Sequence, residues 1–288
     1  METVSIQKYY QVAGHRFCVS AREEDFGLMD NYVPFAVEGM ENKPLCFSLF
    51  VADERPINYI EELRQEDEEQ DIICGHTDDG RSVFEFRLME QTAGWLVCSK
   101  DFRQGCLTLM DNYRKFAIDN ALMVLFALAT AKLDTALFHA AVVSYDGKGY
   151  MFLGKSGTGK STHARLWLKH IAGTELVNDD NPVVRIFDGE TVVYGSPWSG
   201  KTPCYRNVSY PLGGIVMLSQ ASFNKIRRLN VIEAYAALVS SISGKRWDKK
   251  IADGLHNTEN TLATIIPTWH LECLPDEEAA KLCSLKIK

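Results

Sequence analysis

Eight consecutive residues, Gly154-Lys155-Ser156-Gly157-Thr158-Gly159-Lys160-Ser161, satisfy the pattern GxxxxGK[ST] at every fixed position. An apolar run, Tyr150-Met151-Phe152-Leu153, enters this segment, and the amphipathic run ARLWLKHIA leaves it. The pattern therefore asks for a strand, a tight glycine-rich loop and a helix in that order. The residue types suit a phosphate. Glycines 154, 157 and 159 let the backbone curl so that several N–H groups meet one anion without a Cβ in the way. The following helix N-terminus adds unpaired N–H groups and partial positive charge. Lys160 supplies a mobile full charge to β- and γ-phosphates, and Ser161 offers a hydroxyl to Mg²⁺. Residues 154–162, Thr162 included, are the expected nucleotide-binding segment.

Nineteen residues after Lys160 come Asp179 and Asp180, closing the run Glu175-Leu176-Val177-Asn178-Asp179-Asp180. Adjacent carboxylates at a strand end point to different sides. One can hold Mg²⁺, directly or through water, while the other faces a phosphoryl acceptor; which does which is left open. The same residues are also turn formers. His139 stands fifteen residues before Gly154, at the start of an apolar strand. Taken alone, it reads as a core histidine. The loop-like stretch Gly195–Arg206 carries Lys201 and Arg206, candidate substrate contacts that weigh evenly against ordinary surface cations. Lys245 and Arg246, beside Trp247, read as solvated charges at a helix start rather than as an anion site.

Around this feature the chain reads as two regions. Residues 1–112 look mainly β, with short strands at Phe17–Ser20, Leu45–Val51, Ser82–Leu88 and Trp95–Cys98. Between them, Asp53–Asp71 holds nine acids against Arg55 and Arg64 and reads as a solvated loop or exposed helix. Residues 113–288 read as the nucleotide-binding region. It opens with a core helix over Tyr113–Leu133. Hairpins follow around Asp146-Gly147-Lys148 and Asp188-Gly189, with a helix over Thr162–Ile171 and strands at Glu175–Asn178 and Gly214–Leu218. Helices at Val231–Ile242 and Lys249–Thr264, a strand at Trp269–Leu274 and a terminal helix complete it.

Composition narrows the function. The 288 residues carry 31 Lys and Arg against 38 Asp and Glu, a formal charge of -7, which argues against a protein that coats nucleic acid or an anionic membrane. The longest apolar stretch, Ala121–Ala131, is shorter than the roughly 20 residues a bilayer requires. The N-terminus has no basic start followed by an apolar run. Eight cysteines without CxxC spacing read as reduced thiols. The expectation is a cytoplasmic chain.

His139–Val143, Gly154–Ser161 and Leu176-Val177-Asn178-Asp179-Asp180, in this order and spacing, resemble the kinase domain of HPr kinase/phosphorylase. More distantly they are similar to ATP-dependent phosphoenolpyruvate carboxykinase. The likeness is best from His139 to Asn181. Thr162 stands where HPr kinases usually carry an acid, Lys155 where they carry Glu, and their Glu-x-Arg-Gly segment has no counterpart near Gly195–Lys201. The resemblance implies a mixed-sheet α/β P-loop domain of the carboxykinase type, with ATP and Mg²⁺ as ligands. It implies γ-phosphoryl transfer to a hydroxyl or carboxyl acceptor, on a small molecule or a protein side chain. His139, Lys160, Asp179 and Asp180 would be catalytic, and Ser161, Asp179 and Asp180 would be metal-binding. Two other readings stand beside it: a nucleotide-binding regulatory or assembly protein without turnover, and a carboxykinase-like lyase. The acceptor and the oligomeric state are open.

Overall fold

The computed structural model describes residues 5–39, 44–52, 58–67, 69–200 and 202–287. The chain forms a mixed α/β structure that divides into two compact units, residues 1–130 and 131–288, each built on a large mixed sheet.

The first unit contains β1 (Ile6–Val12), β2 (His15–Ala21), α1 (Glu23–Phe26), a 3-10 turn (Asp30–Phe35), β3 (Ala36–Val37), β4 (Phe47–Ala52), β5 (Ile60–Asp67), β6 (Gln70–His76), β7 (Ser82–Leu88), β8 (Gln91–Cys98), β9 (Gln104–Leu109) and α2 (Arg114–Thr130). The strand order is β3-β1-β2-β4-β9-β8-β7-β6-β5. β2, β4 and β9 run parallel, and the remaining pairs are antiparallel. Phe17 and Phe47 stack at the parallel seam with ring centroids 4.8 Å apart.

Two sequence expectations meet a different arrangement here. Ile60–Asp67, inside the acidic segment read as loop or helix, is strand β5; residues 53–57 and 68 lie outside the described residues. Among the described strands β5 is the sheet's edge and pairs only with β6, and it is exposed on both faces, so no alternation marks it. Its acids are what natural edge strands use to discourage further pairing. Helix α2, grouped by sequence with the second region, packs on β4, β7, β8 and β9. Its buried Ala117, Ile118, Ala121, Leu122, Leu125 and Phe126 cover that sheet. Polar anchors set its N-terminal half: Arg114 pairs with the wholly buried Asp25, and Asn31 Nδ2 donates to Asp119 Oδ1 at 3.0 Å.

The second unit contains β10 (Thr135–Leu137), β11 (Ala140–Tyr145), β12 (Lys148–Leu153), α3 (Lys160–His170), β13 (Glu175–Asp180), β14 (Val183–Phe187), β15 (Glu190–Tyr194), β16 (Ser209–Gln220), β17 (Lys225–Arg228), α4 (Val231–Val239), α5 (Lys249–Ile265), β18 (Thr268–Cys273) and α6 (Glu277–Ile287). Both expected hairpins form. Asp146-Gly147 has φ of 49° and 73°, and Asp188-Gly189 has φ of 51° and 79°. Positive φ at both central residues matches the twist of the flanking strands. The long β16 branches the sheet: its start pairs with β15, its middle with β12 and its end with β18. The order β10-β14-β15-β16-β12-β11-β13 therefore carries a side branch of β18 and β17.

Helices α3 and α6 close over one face through Trp167, Ala164, Ala280, Cys283 and Ile287, against Ala141, Val143, Tyr150, Phe152, Val216 and Leu271. One consequence positions the site. β12 and β13 are both antiparallel to β11 and so run the same way. Their C-terminal ends, Leu153 and Asp180, emerge beside the start of β11, immediately after His139.

Candidate functional site

The loop from β12 to α3 has the geometry its glycines allow. Gly157 and Gly159 take φ of 76° and 103°, in the region where a Cβ would strain the chain. Gly159 is the residue before α3, and the helix begins at Lys160 itself. Thr158 closes the curl, its N–H and Oγ1–H both donating to Lys155 O at 3.1 and 2.6 Å. Lys155, Ser156 and Gly157 are exposed, and Ser161 and Thr162 are half-buried in the first turn of α3. Gln220, at the end of β16, donates through Nε2 to Gly157 O at 3.1 Å.

Lys160 is buried. Its Nζ donates to Gly154 O at 2.9 Å and Lys155 O at 3.3 Å, and lies 2.9 Å from His139 Nε2. The other ring nitrogen, Nδ1, lies 2.9 Å from Asp180 Oδ1. Lys160, His139 and Asp180 thus form one hydrogen-bonded chain. His139 is held from behind as well. Its backbone N–H donates to Ser241 O at 2.7 Å, and Ser243 N–H donates to Leu137 O at 3.0 Å.

The two aspartates separate as the pleat requires. Asp179 is in register with Ala141, and Ala141 with Phe152, so Asp179 shares the face that α3 covers. It is 5% exposed, and its Oδ1 is buried with no hydrogen-bond partner among the described residues. An unpaired buried carboxylate oxygen is costly unless something fills the gap. Asp180 is more open, with 31% of its side chain exposed.

Asn178, which the sequence reading passed over, fixes this turn. It is fully buried: Nδ2 donates to Ser196 Oγ and Trp198 O, both at 3.1 Å, and Oδ1 accepts from the N–H of Asp180 at 3.0 Å and of Asn181 at 2.8 Å. Its signal was the Asn-Asp-Asp-Asn string itself, whose first member satisfies its own backbone. Gly200 approaches so closely that a Cβ there would lie 3.0 Å from Asp179 O.

Of the two candidate substrate cations, Arg206 does not join this group. Arg206 Nη2 pairs with Glu175 Oε2 at 2.7 Å and Nη1 donates to Leu176 O at 2.5 Å, a hydrogen bond and charge that hold the guanidinium above its usual pKa. Leu176 lies at the opposite end of β13, about 13 Å from Asp180 at strand rise. Lys201 lies outside the described residues. Arg246 is structural: Nη2 reaches Glu259 Oε1 at 2.6 Å, Val239 O at 3.0 Å and Ile242 O at 3.4 Å. Lys245 is buried, its Nζ 5.6 Å from the centre of the Trp247 ring. His163, on α3, is also structural. Its Nε2 accepts from Trp167 Nε1 at 3.2 Å, and burial pushes its pKa down to about 4. Burial pushes the Cys204 thiol up; Arg206 opposes this and the Asp179 charge adds to it.

Among the described residues, no three His, Cys, Asp or Glu side chains converge as a metal cluster, and no helix is long and apolar enough to cross a membrane. Mg²⁺ does not need such a cluster, because it commonly takes one or two carboxylates plus substrate phosphates. The unpaired oxygen of Asp179 and the half-buried hydroxyl of Ser161 suit that role. No family model matches the chain, and no curated protein does.

Proposed function

We propose that this chain is an ATP- and Mg²⁺-dependent phosphotransferase of the HPr kinase-like type, with a carboxykinase-like nucleotide domain, passing the γ-phosphoryl group to a hydroxyl or carboxyl acceptor. The observation that carries the reading is the Asp180–His139–Lys160 chain, since it couples the residue that grips phosphate to an acid–base pair.

The N–H groups of the loop and of the first turn of α3 hold the phosphates. Lys160 Nζ sits on two neutral carbonyls; an anionic phosphate offers the stronger, charge-assisted bond. Turning to it releases His139 Nε2. That nitrogen then stands free to accept the proton of an acceptor hydroxyl, while Nδ1–H stays on Asp180, whose charge stabilises the imidazolium. The acceptor oxygen forms its bond to the γ-phosphorus as the bridging oxygen leaves with ADP. Because the transition state is loose, these residues act mainly by positioning and charge. Asp179 and Ser161 would hold Mg²⁺, which supplies neutralisation of the β- and γ-oxygens.

Calorimetric titration with MgATP tests the reading. Wild type should bind, and Lys160→Ala should lose at least tenfold in affinity, the scale of a charge-assisted contact. Binding that survives Lys160→Ala combined with Ser161→Ala would overturn the assigned loop. Binding without any transfer or ATP loss would instead favour a regulatory protein without turnover.

A further inference from the structure

β16 lies between β12 and β18 and is parallel to both. The registers align Leu153 with Met217, and Met217 with His270. Met217 and His270 are therefore level with the last residue before the phosphate loop. Ser219 stands two residues further on, and only one strand spacing, about 4.8 Å, separates its strand from the one that enters the loop. The next residue, Gln220, already touches that loop at Gly157 O. Alternation turns the Ser219 side chain to the other face, where its Oγ meets His270 Nε2 at 2.9 Å. Both residues are half-buried. Arg227, opposite His270 on β17, is held by Glu233 at 2.9 and 3.1 Å.

A serine hydroxyl has one hydrogen and two lone pairs. When His270 Nε2–H donates to Ser219 Oγ, the hydroxyl hydrogen is left to point elsewhere, on the face of β16 opposite Gln220 and on the strand next to the one that enters Gly154–Ser161. We infer that Ser219 and His270 form a contact for the terminal phosphate of a bound nucleoside triphosphate. The contact lies on the side of β12 opposite His139 and Asp180. The inference rests on the nucleotide reading above and adds its specificity element. Ser219 O–H donates to a γ-phosphate oxygen, His270 orients and polarises that hydroxyl, and no covalent bond changes. A nucleoside diphosphate presents nothing at this point, so the pair favours triphosphate over diphosphate.

The test compares affinities for a non-hydrolysable ATP analogue and for ADP, both with Mg²⁺, by calorimetry. In Ser219→Ala and His270→Ala the analogue should weaken about tenfold, the scale of a hydrogen bond to a charged group, while ADP stays within twofold. Ser219→Thr and His270→Gln keep a donor at each position and should keep the discrimination; they also serve if the alanine variants fold poorly. Equal losses for both nucleotides, or no loss for either, overturn the contact and leave the pair as a cross-strand hydrogen bond. If wild type binds the analogue in a Lys160-dependent way and Ser219→Ala changes nothing, only this inference fails. If wild type binds neither nucleotide, the nucleotide reading fails with it.

Discussion

Lys160 Nζ and His139 Nε2 lie 2.9 Å apart. An ammonium has only donors, so Nε2 accepts and the ring's proton sits on Nδ1, facing Asp180 at 2.9 Å. The lysine therefore fixes the histidine tautomer, and in the proposed phosphotransferase that tautomer would leave Nε2 as the base once Lys160 turned to phosphate.

The relay predicts a split between binding and turnover. His139→Ala and Asp180→Asn should bind MgATP within a few-fold of wild type. Their rate of γ-phosphoryl release, with water standing in as acceptor, should fall about 10²–10⁴-fold, the usual weight of a positioned general base. Asp180→Asn keeps the side-chain shape while removing the charge that holds Nδ1–H. A full rate in Asp180→Asn, measured by phosphate release, would rule the relay out.

Gly157 separates conformational strain from steric crowding. Nothing lies within 4 Å of a Cβ built there, yet φ is 76°. Gly157→Ala should lower stability by only about 1–2 kcal/mol, the cost of a left-handed L-residue, visible as a drop of a few degrees in thermal midpoint. MgATP affinity should fall much further, because the loop relaxes away from the curl that converges its N–H groups. An unchanged affinity would show that the curl is not the binding device.

His163 sets a pH dependence that does not involve the site. It is 3% exposed, and its pKa falls to about 4 in the folded chain, against 6.5 for an unburied imidazole. Between these values the unfolded chain binds the extra proton, so stability rises with pH. The contribution is fully present above 6.5 and is lost as pH falls through 4. It amounts to about 3 kcal/mol. Chemical unfolding at pH 7 and pH 4 should show a smaller difference for His163→Gln than for wild type, and equal differences would contradict the assignment.

Legibility followed the distance over which each residue finds its partners. The strand–turn–helix around Gly154–Ser161 and both Asp-Gly hairpins are local devices, so their backbone course could be read directly. The common emergence of His139, Leu153 and Asp180 needed two antiparallel pairings and was available only through the family resemblance. Asn178 escaped because its four partners lie partly in the distant Ser196–Trp198 turn. Arg206 weighed evenly between substrate contact and surface cation because nothing local to it reveals Glu175. β5 was hidden by being an edge: charges that read as solvation also guard an open strand.

The Arg246–Glu259 pair yields the last prediction, because it links stability to the back of the site. Glu259 is wholly buried on α5, and Arg246 holds it while also bonding Val239 O and Ile242 O. The same short segment carries Ser241 O, which fixes the backbone of His139, and pairs Ile242 with Phe138. Arg246→Ala should leave a buried carboxylate unopposed and lower stability by about 3–5 kcal/mol. Replacing both residues by methionine removes the stranded charge along with its partner, so the double variant should recover most of that loss in a denaturant titration. Amide exchange at Phe138 and His139 should accelerate in Arg246→Ala and return toward wild type in the double variant. A double variant as unstable as the single one would mean that the guanidinium acts through its two carbonyl bonds, not through the charge of Glu259.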